Sequence, residues 1–396
     1  MWSETSYQSS LAQLAISLLP IQMCIIYNGH VLNGKTVALV IKCYNEEKQI
    51  LKVLKNVPDF ADKIVVVNDK STDNTAKVVA DYIANNHQVS HTVSHEERAL
   101  KDDGYDNAEK ALRALKNLEA KKFAPYEIYN KNKLTDRVVL INHLENGGPG
   151  AAVATGYKWC RDSQMGCTVV VDGDGQMDLS ELEAMCLPVV NGEADYTKAN
   201  RLKHRSALLV MPKVRFFGNS VLSLLTKVAS GYWYVTDTQA GFTAISLEAL
   251  EGIRLHQLYK LYGYPNDMLV KLNISGATIK EIRSKPVYNV GEESNMVVFK
   301  VIPKISWLLF RSFWVRLYKK YLFRDFHPLF LLYHFSMALF LVDVFVFKHM
   351  LDQISDGRSV TFQSLVVFVF LAISAFQSFI FAMWMDMMDN DRLYKS

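Results

Sequence analysis

Short apolar runs alternate with segments of helical spacing between about residues 36 and 290. The runs lie in VALVI (37–41), KIVVVND (63–69), VVLINH (138–143) and TVVVDGDG (168–175). Uninterrupted apolar strands separated by helices are typical of a parallel sheet that is covered on both faces. The pattern therefore predicts an α/β fold with a Rossmann-like, mostly parallel sheet. Residues 87–136 interrupt this alternation as an insertion, in which only 107–123 have an amphipathic helical period and to which we assign no chemistry.

Two long apolar segments follow near the C-terminus, at about 329–347 and 360–384. The second has no charged side chain between Ser359 and Met385, whereas the first contains His334 and Asp343. A helix of about 20 apolar residues is long enough to cross the hydrocarbon core of a bilayer. The segments therefore predict a two-helix transmembrane hairpin. We expect Asp343 to face the partner helix or a neighbouring subunit, or to lie near the far membrane surface.

The basic residues near these segments predict how the hairpin is oriented. Five precede the first segment, and only Lys348 and Arg358 lie in the loop 348–359. The five are Arg311, Arg316, Lys319, Lys320 and Arg324. Because basic residues stay on the cytoplasmic side, the catalytic part and a short tail are predicted to be cytoplasmic, in an integral, multi-pass membrane protein.

Two further segments are apolar or amphipathic. Residues 291–327 mix basic and aromatic side chains and are predicted to form amphipathic juxtamembrane helices in the headgroup region, or to pack on the catalytic part. Residues 1–34 are predicted to be an apolar N-terminal arm, interfacial or packed.

Composition narrows the classes of function. The 44 Lys and Arg residues nearly balance the 40 Asp and Glu residues, so charge alone does not favour a nucleic-acid partner. The 5 cysteines form no CxxC pair, which fits a reducing compartment better than a disulfide framework.

Polar motifs follow three of the predicted strands at their carboxyl ends, where ligands bind in parallel sheets. They are CYNEE (43–47), VNDKSTD (67–73) and VDGDGQMD (171–178). Asp172 and Asp174 form a hard, oxygen-rich pair, and Mg²⁺ or Mn²⁺ on such a pair completes its coordination with substrate phosphates. The motifs therefore predict a divalent-cation site for a diphosphate substrate.

Taken in order, these motifs resemble family 2 glycosyltransferases of the GT-A fold. The similarity is greatest to membrane-bound polyprenyl-phosphate glycosyltransferases related to dolichol-phosphate mannose synthase, and it covers about residues 35–325. The matching segments are YNEE (44–47), ND (68–69), STD (71–73), NGG (146–148), GAA (150–152), DGDGQMD (172–178), NR (200–201), RFFGN (215–219) and DTQAGFTA (237–244). The resemblance implies a GT-A catalytic domain at 35–290, followed by the juxtamembrane helices and, at 328–396, the hairpin with its tail.

The resemblance also implies a role for each matching residue. The nucleotide sugar would contact Tyr44, Glu46, Asn68, Asp69, Asn146, Gly150 and Gln239. The metal ligands would be Asp172, Asp174 and Gln176, and the catalytic residues would be Asp174, Arg201, Arg215, Asp237 and Asp267. Among these, Arg201 and Arg215 would bind the acceptor phosphate. Since a lipid phosphate is already anionic, a strong base is not required, and Asp237 and Asp267 could instead orient sugar hydroxyls.

Three positions depart from the family pattern. Lys42-Cys43 stand where Pro or Ala is usual, Asn68 replaces the first carboxylate of a pair, and Pro149 stands where Lys or Arg is frequent. These departures bear on the identity of the nucleotide more than on the fold.

The implied activity is inverting, metal-dependent, non-processive transfer of one sugar from a UDP- or GDP-linked donor to undecaprenyl or dolichyl phosphate at the cytoplasmic membrane face. A processive polysaccharide synthase is the first alternative, but the sequence has no Gln-x-x-Arg-Trp motif and only two predicted spans. A catalytically inactive scaffold is the second. Ala372, Ser374 and Ala375 predict close helix packing, which could extend to a homo-oligomer.

Overall fold

The protein is described by a computed structural model that covers residues 32–86, 104, 106–130, 136–206, 213–287 and 298–396. The predicted N-terminal arm (1–34) and the first half of the insertion lie almost entirely outside these residues. For 213–217 and 298–301 the backbone is described but not the side chains, so the side chain of Arg215 is also outside the description.

Strands and helices alternate through the catalytic part, and long helices follow. The elements are β1 (Val37–Cys43), α1 (Ile50–Lys55), β2 (Lys63–Asn68), α2 (Thr75–Asn85), α3 (Asn107–Ala120), β3 (Tyr126–Ile128), β4 (Val138–His143), α4 (Pro149–Asp162), β5 (Cys167–Asp172), α5 (Leu182–Val190), β6 (Tyr196–Asn200), α6 (Lys213–Ser230), β7 (Thr243–Ser246), α7 (Leu247–Glu251), α8 (Tyr264–Ser275), β8 (Ile279–Arg283), α9 (Val298–Tyr318), α10 (Pro328–Ser355), α11 (Phe362–Asp391) and β9 (Tyr394–Lys395). A π-helical turn, Lys319–Arg324, follows α9.

The strands form one sheet of nine, in the order β3-β4-β2-β1-β5-β7-β6-β8-β9. Strands β4, β2, β1 and β5 are parallel, as are β6, β8 and β9. Only β3 and β7 run antiparallel to their described neighbours. The predicted α/β fold with a mostly parallel sheet, followed by two apolar helices, is thereby confirmed.

The core lies on both faces of this sheet, as the uninterrupted apolar strands predict. Alternate residues of β1 enter different clusters: Ala38 and Val40 pack with α4, whereas Leu39 and Ile41 pack with α1 and α5. Since both faces are covered, the polar motifs that follow β1, β2 and β5 lie at or just after the ends of these strands.

Helix α9 packs against α6 and α8 of the catalytic part, and α10 and α11 pack against each other along their length. Both α10, with 28 residues, and α11, with 30, are long and apolar enough to cross a membrane. They are longer than the predicted segments 329–347 and 360–384. Large apolar side chains cover their outer faces: Phe345, Phe370 and Phe376 are 72%, 69% and 68% exposed. An apolar surface of this extent is typical of contact with lipid.

The end of α11 is held to the catalytic part by a buried ion pair. Two guanidinium nitrogens of Arg316 donate to the two carboxylate oxygens of Asp386 at 2.7 and 2.8 Å, and both side chains are 0% exposed. Arg316 also donates to the carbonyls of Ala229 and Val228 at the end of α6. Of the two alternatives predicted for residues 291–327, Arg316 follows the second, packing on the catalytic part. Its charge is matched inside the protein.

Candidate active site

The predicted metal motif lies at the carboxyl end of β5, next to the loop that follows β1. Asp172 is the last residue of β5. The backbone amide of Gln176 donates to Asp174 Oδ1 at 2.9 Å, and this hydrogen bond closes the turn after the strand. Glu46, after β1, lies near both aspartates: burial, then the negative charges of Asp174 and Asp172, raise its pKa to about 7. Three carboxyl groups therefore concentrate negative charge at this edge of the sheet.

Lys42 is a member of this cluster to which sequence analysis assigned no role. It pairs in register with Asp172 across β1 and β5, and its ammonium contacts Asp172 Oδ1. The ammonium also lies 5.8 Å from the centre of the Tyr264 ring. Although burial lowers the pKa of Lys42, the charge of Asp172 more than offsets burial, so Lys42 is a fixed cation. The signal was available: parallel strands in register place such a pair on one face.

The donor set suits a small divalent cation that is shared with a substrate. Among the described residues, no group of three His, Cys, Asp or Glu side chains is arranged to hold a metal by itself. Mg²⁺ usually binds through one or two carboxylates and fills its other positions with water and phosphate oxygens. Asp172 and Asp174 fit that requirement, and a cation there would relieve the negative charge that, after burial, raises the pKa of Glu46.

The loop after β2 is organised from inside by Asp69. Its Oδ1 lies 2.7 Å from His143 Nδ1 and accepts from the Gly147 amide at 2.8 Å. Its Oδ2 accepts from the Gly148 amide at 2.7 Å, and the residue is 3% exposed. Its predicted contact with the nucleotide stays a prediction. In the structure its carboxylate holds the Gly147–Gly148 turn.

The side chain of Asn68 is also hydrogen-bonded within the protein. Its side-chain oxygen accepts from the Ser71 amide at 3.1 Å, and its Nδ2 donates to Asn142 Oδ1 at 2.9 Å. By contrast, Tyr44, at 43% exposed, and Asn146 are accessible at the surface. Of the other predicted nucleotide residues, Glu46 and Gln239 are half-buried.

Close packing around position 150 leaves room only for glycine. A Cβ atom at this position would lie 1.9 Å from the Tyr259 carbonyl oxygen. The Gly150 amide donates to the Lys260 carbonyl at 2.7 Å, so it is not directed at a diphosphate. The amide thus contacts the loop that precedes α8, and the predicted contact of Gly150 with the donor stays a prediction.

Arg201 and Asp237 form a bidentate ion pair. Arg201 Nε donates to Asp237 Oδ2 at 2.8 Å, Nη2 donates to Oδ1 at 3.1 Å, and the Arg201 amide donates to Oδ2 at 3.1 Å. Asp237 is 1% exposed, whereas the Arg201 side chain is 24% exposed. Burial raises the pKa of Asp237, but the charge and hydrogen bonds of Arg201 outweigh it and hold this pKa below its usual value. The buried Asp237 therefore orients the partly exposed side chain of Arg201.

The remaining predicted residues lie at the start of α8 or beside it. Asp267 is 6% exposed, accepts from the Tyr259 amide at 2.8 Å and pairs with Lys271. The Gln239 side-chain amide donates to Asn266 Oδ1 at 2.8 Å. These bonds give Asp267 a structural position in the helix start. Arg215 lies in the first turn of α6.

An apolar cavity of about 550 Å³ lies among α6, α9, α10 and α11. Leu309, Phe313 and Ala375 line it, together with three buried polar residues, Tyr333, Ser336 and Asp343. Tyr333 Oη and Asp343 Oδ1 have no hydrogen-bond partner among the described residues. Asp343 thus faces the interior of the helix pair, as one of the sequence-based alternatives has it.

Comparison with known proteins identifies the catalytic part. Residues 38–113 match the model described as "Glycosyl transferase family 2". Over these residues the chain is therefore similar to family 2 glycosyltransferases. The matched segment contains Tyr44, Glu46 and the Asn68–Asp69 loop, and it ends before the Asp172–Asp174 pair.

Similarity to curated proteins extends over about two thirds of the chain. The chain is 28% identical over 281 residues to the UDP-N-acetylglucosamine–dolichyl-phosphate N-acetylglucosaminyltransferase of Methanococcus voltae, covering 69% of this chain and 96% of the relative. It is 24% identical over 281 residues to a dolichyl-phosphate beta-glucosyltransferase of Trichomonas vaginalis, covering 66% of each. The chain is also similar to a solved structure, that of glucosyl-3-phosphoglycerate synthase of Mycobacterium tuberculosis with Mn²⁺, UDP-glucose and phosphoglyceric acid. The two are 15% identical, with a TM-score of 0.41, and the match covers 72% of this chain and 80% of that one.

Proposed function

We propose that this glycosyltransferase transfers one sugar, with inversion, from a nucleotide-sugar donor to a polyprenyl phosphate at the cytoplasmic face of a membrane. The observation that carries the proposal is the placement of Arg201 relative to the aspartate pair. Strand β7 is antiparallel to both β5 and β6, so β5 and β6 run in the same direction. Arg201, directly after β6, and Asp172, at the end of β5, therefore lie at the same edge of the sheet.

The two groups suit the two anions of the reaction. Asp172 and Asp174 would hold a divalent ion, which when bound supplies a Lewis acid for the departing nucleoside diphosphate. The Arg201 guanidinium, which Asp237 orients through Nε and Nη2, is partly exposed, and its positive charge suits an acceptor phosphate. A phosphate oxygen then forms a bond to the anomeric carbon as the bond to the diphosphate oxygen breaks. Because the nucleophile is already anionic, no deprotonation is required.

The helices give the acceptor a lipid environment. Both ends of the hairpin attach to α9 and the turn after it, which pack on the catalytic part: Leu329 and Tyr333 pack against Leu317 and Tyr321, and Asp386 pairs with Arg316. The hairpin would therefore cross the membrane twice and return to the same side. Its apolar cavity is large enough for part of an isoprenoid chain. The names of the dolichyl-phosphate relatives are consistent with this acceptor.

The test is nucleoside diphosphate release by the purified full-length protein in nanodiscs, with and without polyprenyl phosphate. UDP- and GDP-sugars are supplied with Mg²⁺ or Mn²⁺, and lipid extracts are examined for a sugar-phosphate lipid. We expect lipid-dependent release that yields this product and that disappears in Asp174→Asn. The matched control is Asp81→Asn, which changes an exposed aspartate on α2.

Other outcomes would contradict the proposal in different ways. Release that does not depend on lipid would support a soluble acceptor or a processive polymerase. Nucleotide binding without release from any donor would support an inactive scaffold.

A further inference from the structure

The residues that follow α11 form part of the catalytic sheet. Tyr394 and Lys395 form strand β9, which is parallel to β8, with Tyr394 paired to Ile279. The Ile279 amide donates to the Leu393 carbonyl at 2.7 Å, and Leu393 is buried in the main core. What the sequence predicts to be a short tail is thus an edge strand that is fixed in register.

This edge strand is also fixed relative to α11. Asn390, in the last turn of that helix, accepts a hydrogen bond from Asn273 Nδ2 of α8 at 2.7 Å. Four residues earlier, Asp386 holds Arg316 of α9. A shift of α11 relative to the catalytic part would therefore be transmitted to Tyr394.

The side chain of Tyr394 reaches a buried carboxylate, Glu281. The Lys203 ammonium donates to Tyr394 Oη at 3.2 Å and lies 3.0 Å from Glu281 Oε2. Tyr394 Oη itself is 3.5 Å from Glu281 Oε2. The Glu281 side chain is 0% exposed, so its charge depends on these partners and on nearby amides.

Glu281 in turn holds the segment that carries Asp237. Its Oε1 accepts from the Thr236 amide at 2.8 Å and from the Asp237 amide at 3.2 Å. Asp237 then binds Arg201 through the bidentate pair described above. Tyr394 thus reaches Arg201 by two routes: through Glu281 and Asp237, and through Lys203, which lies two residues after Arg201.

We propose that Tyr394 and Glu281 are positioning residues for Arg201, so that the segment after the second membrane helix sets the geometry of the acceptor-phosphate site. This inference rests on the proposed function, which gives Arg201 its substrate. It predicts that loss of the Tyr394 hydroxyl weakens use of the lipid acceptor and leaves use of the donor intact, since the aspartate pair lies on the other side of β7.

The test compares Tyr394→Phe with wild-type protein, both full-length in nanodiscs. The variant keeps the ring, whose centre lies 5.5 Å from that of Tyr234, and removes only the hydroxyl. We expect the KM for polyprenyl phosphate to rise about fivefold to tenfold, the amount expected for one hydrogen bond within a charged network, with donor KM and Tm near wild type. Glu281→Gln should have the larger effect in the same direction. Lys395→Ala, an exposed neighbour in β9, is the control.

Hydrogen exchange gives a readout that is independent of activity. Peptides that cover 200–206 and 234–239 should exchange faster in Tyr394→Phe than in wild type or Lys395→Ala. Unchanged exchange together with unchanged acceptor KM would overturn the inference. An equal rise in donor and acceptor KM with a lower Tm would also overturn it, because that pattern indicates general destabilisation. If wild-type protein shows no lipid-dependent transfer, the proposed function fails, and hydrogen exchange alone still decides whether Tyr394 positions the Arg201 segment.

Discussion

The side chains of Lys42 and Asp172 form an ion pair across strands β1 and β5, at the edge of the sheet where a divalent cation is proposed to bind. One of the two aspartates of the motif is therefore already balanced by a cation that belongs to the protein. Lys42 and a metal ion would both be attracted to the same carboxylate. We therefore expect Lys42 to reduce the affinity of the proposed site for a metal without nucleotide.

Replacing Lys42 by Met should strengthen metal binding in the absence of nucleotide. Removing a positive charge in contact with Asp172 removes a repulsion on the incoming ion, and we expect Mn²⁺ affinity to rise about tenfold, or roughly 1.4 kcal/mol. Calorimetric titration of full-length protein in nanodiscs with Mn²⁺ measures the affinity directly.

The control for this change is Lys52→Met, because Lys52 lines a cavity of about 370 Å³ that also reaches Asp172. Its affinity for Mn²⁺ should stay within about twofold of wild type. Equal or weaker Mn²⁺ binding by Lys42→Met would show that Lys42 does not compete with the metal.

Asp237→Asn should impair use of the acceptor far more than use of the donor. The substitution leaves Arg201 without its buried counter-ion, and breaking such a pair costs about 3 kcal/mol or more, on the order of 100-fold. We expect a loss of this size in kcat/KM for polyprenyl phosphate, with nucleotide affinity near wild type. Steady-state kinetics with each substrate varied, and UDP or GDP titration, provide the two measurements. A parallel loss of nucleotide affinity would place Asp237 in the donor site instead.

The central strands could be predicted from the sequence because burial on both faces leaves a continuous apolar run. Strands β1, β2, β4 and β5 are each buried almost throughout. The edge strands could not be predicted: β3 has 3 residues and β9 has 2, too few for any period to be visible. Each forms because a neighbouring strand offers an unpaired edge, which is a property of the folded sheet.

The site was predicted at the level of its motifs, but not for every side chain. The Asp172–Asp174 motif and Arg201 lie at the same sheet edge, as expected from their positions after strands. The interior bonds of Asp69 and Gly150 depend on the Gly147–Gly148 turn and on the loop at 259–260, which are brought together only in three dimensions. Sequence position indicates that a polar residue follows a strand, but not whether its side chain points into the cleft or into the loop.

Arg316→Met should destabilise the attachment of the hairpin to the catalytic part. It leaves Asp386 buried without its cation, and removing one member of a buried pair costs about 3–5 kcal/mol. We expect a lower Tm and faster proteolysis near the junction of α9 with the catalytic part, both measured in nanodiscs. Arg311→Met, at an exposed position on the same helix, is the control and should behave as wild type.

A double variant separates the charge from the packing at this junction. Arg316→Met with Asp386→Leu removes both charges, so it should recover part of the stability that the single variant loses. The pair does not hold the hairpin in place if Arg316→Met has the Tm of wild type and the double variant is no more stable than Arg316→Met.

Lys198 should make stability rise with pH in the alkaline range. It is 0% exposed and its ammonium donates to the Ala240 carbonyl, and burial lowers its pKa to about 8 even though Asp237 opposes the shift. Between about pH 8 and its ordinary pKa of 10.5, the folded protein holds this lysine neutral while the unfolded chain still binds the proton. The unfolded state then binds more protons, so the free energy of unfolding increases with pH. Below about pH 8 the lysine is charged in both states, and the full cost of burying that charge remains.

Lys198→Met should therefore reduce the rise in Tm between about pH 7.5 and pH 10, measured by thermal unfolding in nanodiscs. Lys63 contributes separately, since burial lowers its pKa to about 8 as well, so the slope should shrink without disappearing. Lys280→Met, at a partly exposed lysine in β8 paired with Glu193, is the control and should keep the wild-type slope. A slope for Lys198→Met that equals the wild-type slope would show that Lys198 does not titrate in this range. A reduced slope in Lys198→Met alone would place a neutral amine directly beneath the Arg201–Asp237 pair at alkaline pH. Loss of its attraction for Asp237 would then leave Arg201 as the main cation that balances this carboxylate.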